Sequence, residues 1–105
     1  MYKLEILPVA KKDMDNIIYY VSHNLKNNKA SNKLMKNFIN ATKKILLFPY
    51  GAPEYYINKK QKLENTYRCL KIQNFLMFYL INEQDKLITI VRVLYNKMNI
   101  YNILE

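Results

Sequence analysis

The sequence has very few of the residues on which disulfides, metal sites and histidine chemistry depend. Its 105 residues include one cysteine, Cys69, one histidine, His23, and no tryptophan. A single cysteine cannot form an internal disulfide, and one histidine without a cysteine cluster does not make a metal site. These counts exclude a disulfide framework and any mechanism that needs two histidines. We predict neither a metal nor a cofactor.

Long apolar runs are also missing. No stretch reaches the roughly 18 apolar residues that a transmembrane helix requires. The apolar run near the N-terminus is too short for a signal peptide, and acidic residues follow it closely. We therefore expect a cytoplasmic protein.

Acidic residues are scarce, and the charge is unevenly spread. The net charge is +9, and residues 26–62 contain nine lysines against one acid, Glu54. A field of this sign favours a polyanion or an acidic protein partner. The alternative is a solvated basic face that results from AT-rich codon usage, which also produces abundant Lys, Asn, Ile and Tyr.

The residues that are present indicate an ordered chain. Half of them are apolar and ten are tyrosines, a composition that argues against disorder. The length fits one domain that spans residues 1–105.

The N-terminal half predicts a strand followed by two helices. Residues 2–7 alternate apolar with charged side chains, as a half-buried strand does, and Pro8 stands where a helical pattern begins. The first helical stripe consists of Ala10, Met14, Ile17, Ile18, Val21 and Leu25. The second consists of Ala30, Leu34, Phe38, Ala41, Ile45 and Phe48. A short asparagine-rich link between them predicts an antiparallel helical hairpin.

Three details of this half give further expectations. Asp13 and Asp15 lie early in the first helix, where carboxylates suit the helix dipole. Gly51, the only glycine, follows the second helix and predicts a backbone position with positive φ. Residues 52–66 have no clear period and predict a loop. That loop carries Lys59, Lys60 and Lys62.

The C-terminal third predicts three strands, two tight turns and a tail. The strands are residues 67–72, 75–81 and 87–95, the turns are 73–74 and 82–85, and the tail is 96–105 with one helical turn. The middle strand is continuously apolar, as expected for a strand covered on both faces. The predicted fold is α+β, with an N-terminal strand and a two-helix antiparallel hairpin packed on a C-terminal three-stranded antiparallel sheet. The opposite sheet face is then the natural place for a site.

The two arginines of the chain, Arg68 and Arg92, both lie in predicted strands. An arginine in a strand points to solvent, pairs with a carboxylate or faces a ligand. For Arg92 the carboxylate alternatives are Glu5 and Asp13.

This arrangement resembles the RelE/ParE superfamily of bacterial toxins, nearly from end to end. The first helix fits the family pattern at Ala10, Asp13, Ile17 and Tyr20, with Met14 in place of leucine. The second helix and its end fit at Ala30, Phe38, Leu47, Pro49 and Gly51. The strands fit at Tyr67-Arg68, Phe78-Tyr79 and Arg92-Val93-Leu94. The long helical hairpin and the Arg-Val-Leu strand are closer to the ParE-like branch.

The resemblance implies the toxin of a type II toxin–antitoxin module of the plasmid stabilization type. Such a toxin inhibits growth until a cognate antitoxin, here expected to be acidic and encoded by the adjacent gene, neutralises it. ParE-like toxins act on DNA gyrase, with the C-terminal region implicated, here residues 95–104. RelE-like toxins cleave messenger RNA on the ribosome without a metal.

The residues that an RNA-cleaving relative would use are only partly present. Candidate catalytic residues, if the protein is a nuclease, are Arg68, Lys71, Arg92, Tyr95 and Lys97. Leu76 stands where an RNA-cleaving relative has arginine, and Met98 falls where a second cation is common. An ordinary tyrosine has a pKa near 10 and is a poor base at neutral pH. We expect gyrase as the target. The alternatives are a RelE-like endoribonuclease and a basic nucleic-acid-binding module without toxicity.

Overall fold

The structure is a computed structural model that describes residues 1–56 and 65–104. The elements are β1 (Lys3–Ile6), α1 (Pro8–Tyr19), a π-helical turn (Tyr20–Asn24), α2 (Asn28–Leu47), β2 (Arg68–Ile72), β3 (Phe75–Asn82), β4 (Leu87–Tyr95) and α3 (Ile100–Leu104). The predicted α+β order is confirmed. Lys59, Lys60 and Lys62 of the predicted loop lie outside the described residues.

The four strands form one mixed sheet in the order β1-β4-β3-β2. The three C-terminal strands pair antiparallel, as predicted. The N-terminal strand joins the same sheet as a fourth strand, parallel to β4, with Lys3 opposite Leu87. β1 and β2 are therefore the two edges, and β3 and β4 are central.

A register shift in β4 determines which side chains face the helices. Tyr79 pairs with Ile90 and Phe78 with Arg92, so Val91 is the extra residue of a β-bulge. A bulge reverses the alternation of faces beyond it. As a result Ile90 and Val93 both pack in the cluster under the helices, while Val91 packs in the cluster on the opposite face.

The two long helices cover one face of the sheet. Pro8 begins α1, where its missing N–H costs no helical hydrogen bond. The Asn27 side chain caps α2 by accepting a hydrogen bond from the Ala30 N–H at 3.0 Å. Both predicted stripes pack on the sheet over most of their length. The exceptions are at their C-terminal ends, where Leu25 and Phe48 are 57% and 65% exposed.

The opposite sheet face, where the sequence predicts a site, is covered rather than open. Phe78 and Leu94 are almost fully buried there, and Ile100 of α3 covers them. Tyr55 also lies on this face, with its ring edge-on to Phe78 at 4.9 Å. The tail adds Ile103 and Leu104 to the same cluster. The predicted helical turn in the tail is therefore a structural cover.

Two local expectations are wrong. Gly51 does not adopt a positive φ, whereas among residues 1–56 and 65–104 the non-glycine residues Lys26, Gln73 and Lys86 do. A Cβ at Gly51 would lie 3.1 Å from the Phe48 carbonyl oxygen, so space rather than backbone dihedral favours glycine there. The first turn of α1 contains no acidic residue, so Asp13 and Asp15 lie too far along the helix to act on its N-terminal dipole.

Within the described part of the chain, no helix combines the length and apolar character that crossing a bilayer would require.

Candidate functional site

Arg92 is held by Asp13 on the part of β4 that lies beyond the end of β1. Its Nε and Nη2 atoms lie 2.7 and 2.9 Å from the two carboxylate oxygens of Asp13. The same carboxylate accepts a hydrogen bond from the Val93 N–H at 3.1 Å. β1 ends at Ile6, so Asp13 supplies an acceptor where the neighbouring strand stops. Of the alternatives for Arg92, pairing with Asp13 is therefore the one observed.

Asp13 also shifts the pKa of its partner. Its hydrogen bonds raise the pKa of the Arg92 guanidinium, which remains charged at every physiological pH. Two N–H groups of the Arg92 guanidinium donate to Asp13, and the side chain is only partly exposed. Arg92 is thus part of the framework in this structure.

Arg68 is bound to the segment that follows α2. Its Nη1 donates to the Ala52 carbonyl oxygen at 2.7 Å. The guanidinium also lies 4.8 Å from the centre of the Tyr50 ring, within the range of a cation–π contact. Arg68 therefore fastens residues 50–52 to the start of β2.

The other three candidate residues lie at separate positions on the molecule. Lys71 is exposed on the edge strand β2, and Lys97 is exposed in the turn after β4. Tyr95 is 40% exposed and lies 6.1 Å from Phe75, ring centre to ring centre. No hydrogen bond or ion pair among residues 1–56 and 65–104 joins any two of the five candidates.

Tyr95 forms part of an aromatic cleft beside α1. The cleft has a volume of about 530 Å³. Its lining residues are Asn16, Ile17, Tyr20, Phe75 and Tyr95. The sequence predicts Tyr95 as a site residue but not Tyr20, because only the fold places the end of α1 beside the end of β4.

A larger groove lies between α1, α2 and the edge strand β1, and we call it the α1–α2 groove. Its volume is about 830 Å³. The apolar lining consists of Leu4, Ile6, Met14, Ile18, Met35, Phe38 and Ile39. Met35 and Ile39 are 45% and 48% exposed. Met35 and Ile39 flank the predicted stripe of α2 rather than belong to it, so periodicity alone does not identify them as part of a binding surface.

The π-helical turn shapes one end of this groove. His23 stacks on Tyr19 with ring centres 3.9 Å apart and planes 13° apart. The Ser22 hydroxyl lies 2.9 Å from Nδ1 of His23. All three side chains line the groove, and Lys11 and Asp15 add charges of opposite sign to it.

A polar cluster at the far end of the sheet centres on Glu83. Its carboxylate accepts hydrogen bonds from the hydroxyls of Tyr2 and Tyr50, each at 2.7 Å, and contacts the Lys86 ammonium. These contacts lower the pKa of Glu83 to about 2. The hydrogen bond from Lys86 has the largest effect, followed by those from Tyr2 and Tyr50. The cluster ties β1, the β3–β4 turn and the end of α2 together.

Among residues 1–56 and 65–104 there is no group of three or more His, Cys, Asp or Glu side chains that could bind a metal ion. Cys69 is buried, and burial raises the pKa of its thiol to about 12.

Sequence comparison identifies the family. A family model described as the ParE toxin of the type II toxin–antitoxin system, parDE, matches residues 4–100. The chain belongs to the ParE toxin family. The predicted resemblance to the RelE/ParE superfamily, and to its ParE-like branch, is thereby confirmed. No curated protein matches this ParE toxin by sequence.

Two solved structures share the fold of this chain. A chain of the chromosomal ParDE toxin–antitoxin system from P. aeruginosa superposes with a TM-score of 0.66 and 18% identity, covering 90% of this toxin and 96% of that chain. A chain of the intact E. coli RelBE toxin–antitoxin complex superposes with a TM-score of 0.52 and 13% identity, covering 93% and 100%. At these identities the likeness concerns the fold.

Proposed function

We propose that this ParE toxin arrests growth by acting on DNA gyrase, and that a cognate acidic antitoxin encoded by the adjacent gene neutralises it in the cytoplasm. The observation that carries the proposal is the family match over residues 4–100. The alternative is a RelE-like endoribonuclease, for which Arg68, Lys71, Arg92, Tyr95 and Lys97 remain the candidate catalytic residues.

The positions of those candidates support action without bond cleavage. A general acid, a general base and a charge-stabilising cation must converge on one phosphate to cleave RNA. Arg92 is engaged by Asp13 and Arg68 by Ala52. Poisoning a large enzyme requires only a complementary surface, and we propose that the exposed side chains within residues 95–104 form it. Tyr95 and Met98 are 40% and 47% exposed there.

The target is tested by inducing the toxin in cells and following DNA and RNA separately. We expect DNA breaks, a damage response and altered plasmid supercoiling, with intact messenger RNA during the first minutes. Cleavage of messenger RNA within minutes, with supercoiling and DNA unchanged, would instead favour the endoribonuclease. Folded toxin that leaves growth unaffected would contradict both forms of toxicity.

A pair of matched variants tests the surface at residues 95–104. Met98→Asp places a charge on that surface, and Met35→Asp does so on α2 at nearly the same exposure of 47% and 45%. We expect Met98→Asp to abolish growth arrest and Met35→Asp to retain it. Equal toxicity of the two variants would show that residues 95–104 do not form the surface that acts on gyrase.

The α1–α2 groove supports an antitoxin-binding role. Its volume and exposed apolar lining fit the apolar face of an amphipathic helix. The net charge of +9 favours an acidic partner and speeds its association. We therefore propose that an antitoxin segment binds in this groove.

Antitoxin binding is tested by rescue. Ile39→Asp places a carboxylate in the groove, whereas Asn40→Asp places one on the other flank of α2. We expect both variants to arrest growth, and only Asn40→Asp to be rescued when the adjacent gene is co-expressed. Full rescue of Ile39→Asp would show that the antitoxin binds elsewhere.

A further inference from the structure

Helix α2 has a second exposed flank that the proposed function does not use. Its sequence contains five lysines and no acidic residue. Four of these lysines and one asparagine follow a single row with steps of three or four residues: Lys29, Lys33, Lys36, Asn40 and Lys44. Such steps place side chains along one face of a helix. At 1.5 Å per residue the row is about 22 Å long.

The edge strand β2 continues this row. Lys44 and Asn40 line a shallow groove of about 310 Å³ together with Lys71 and Gln73. Asn37 also lines this groove, so both amide and ammonium donors are present along it. We call Lys29, Lys33, Lys36, Lys44 and Lys71 the lysine ridge.

The ridge charges are not neutralised within the described chain. The ion pairs among residues 1–56 and 65–104 are Lys86–Glu83 and Arg92–Asp13, and neither includes a ridge lysine. The ridge lysines are all exposed. A linear row of unpaired cations attracts a polyanion.

We propose that the lysine ridge binds the phosphate backbone of duplex DNA without sequence preference. Phosphate contacts by lysine and by amide side chains are the usual means of non-specific DNA binding. The one non-lysine residue of the row, Asn40, is polar and exposed, so the row lacks the apolar anchors that a protein interface needs. The exposed apolar residues Met35 and Ile39 of α2 lie on the flank that lines the α1–α2 groove instead.

The residue composition of the lysine ridge and its groove favours duplex over single-stranded nucleic acid. Single-strand binders stack bases on aromatic side chains set along a basic groove. The ridge and its groove contain no aromatic residue. Backbone contact alone suits a duplex, whose bases are already stacked on one another.

The test uses the full chain and a fluorescein-labelled 20-base-pair duplex of mixed sequence, followed by anisotropy from 50 to 200 mM salt. We expect the logarithm of the association constant to fall linearly with the logarithm of salt, by about 0.9 for each phosphate contacted. Lys33→Gln with Lys44→Gln should weaken binding at least tenfold at 100 mM salt and reduce the slope by about two.

A matched control separates the ridge from net charge. Lys3→Gln with Lys12→Gln removes the same charge from exposed positions on β1 and α1, and we expect less than a threefold effect. Circular dichroism and thermal melts verify that both double variants fold. Equal weakening by the two double variants would overturn the proposal, as would tighter binding to single-stranded DNA or to a poly-glutamate peptide. Because gyrase and antitoxin are absent from this assay, its outcome is independent of the proposed function.

Discussion

At the scale of single residues, Asp13 links α1 to the sheet. One carboxylate satisfies two donors of Arg92 and the backbone N–H of Val93. Hydrogen bonds that include a charged group are the stronger ones in proteins, about 1.5–3 kcal/mol each in net terms. The position of Asp13 also explains how a charged Arg92 is accommodated within a strand.

Replacement of Asp13 should destabilise the fold. Asp13→Ala leaves a partly buried guanidinium and a strand N–H without their acceptor, and we expect a loss of about 3 kcal/mol. Urea unfolding followed by circular dichroism measures this loss. Asp15→Ala, two positions along the same helix and exposed, should change stability by less than about 0.5 kcal/mol. Similar losses for the two variants would contradict the linking role.

The buried thiol should be unreactive in the native state. Burial raises the pKa of Cys69 to about 12 from its ordinary value of 9.0. Only the thiolate reacts with iodoacetamide, so at pH 8 we expect labelling to be about a thousandfold slower than for an unperturbed thiol. The same protein in urea should label at the ordinary rate. Fast native labelling would show that Cys69 is accessible.

Glu83 should contribute to the response of the protein to acid. Its pKa is lowered from 4.5 to about 2, so its contribution is present above pH 4.5 and is lost as the pH falls toward 2. Melting curves should therefore show wild type more stable than Glu83→Gln at pH 6, with the difference vanishing near pH 2. Because the cluster is exposed, the effect should be small. A stability difference between the two proteins that grows as the pH falls would contradict this prediction.

At the scale of elements, α3 depends on its packing. A five-residue helix is too short to be stable alone. Ile100 is 6% exposed and packs in the cluster with Phe78 and Leu94. The Tyr67 hydroxyl donates to the Leu104 carbonyl oxygen at 3.2 Å. The tail therefore belongs to the folded unit and completes the second core of the sheet.

Truncation of Ile100 tests this role. Ile100→Ala removes buried methyl groups and should cost about 2–3 kcal/mol of unfolding free energy. Denaturant unfolding measures the loss, and Asn102→Ala, which is exposed in the same helix, is the control. If α3 only frays, the variant will unfold at the wild-type midpoint, and hydrogen exchange will increase in residues 100–104 alone.

At the scale of the whole molecule, a net charge of +9 in 105 residues opposes compaction. Like charges destabilise the folded state by self-repulsion, and salt screens exposed charges beyond about 10 Å at 0.1 M. Much of this charge lies on one flank of α2. The same field that attracts polyanions therefore reduces stability at low salt.

Salt should accordingly stabilise the protein. We expect the melting temperature to rise by a few degrees between 10 and 150 mM sodium chloride. The response should be smaller in the variant with Lys33→Gln and Lys44→Gln, because it carries less repulsion. A melting temperature that falls with salt would mean that attractive pairs dominate the electrostatics.

The sequence by itself determined the elements and the family. Both long helices follow from local periodicity, strand 75–81 from its continuous apolar run, and strand 87–95 from its Ile, Val and Thr content. The turn at Gln73 and Asn74 follows from its two-residue length. The family depends on short motifs in a fixed order along the chain. These features involve neighbours within a few residues, so local physics and local sequence suffice to define them.

Only the tertiary structure decided how these elements meet. The parallel pairing of β1 with β4, the bulge at Val91 and the bond from Arg92 to Asp13 join residues far apart in sequence or depend on strand register. Closure of the second face by α3 and the opening of the α1–α2 groove also depend on packing across the whole chain. A local pattern specifies which face of an element is apolar, but the free energy of packing selects the partner that covers it.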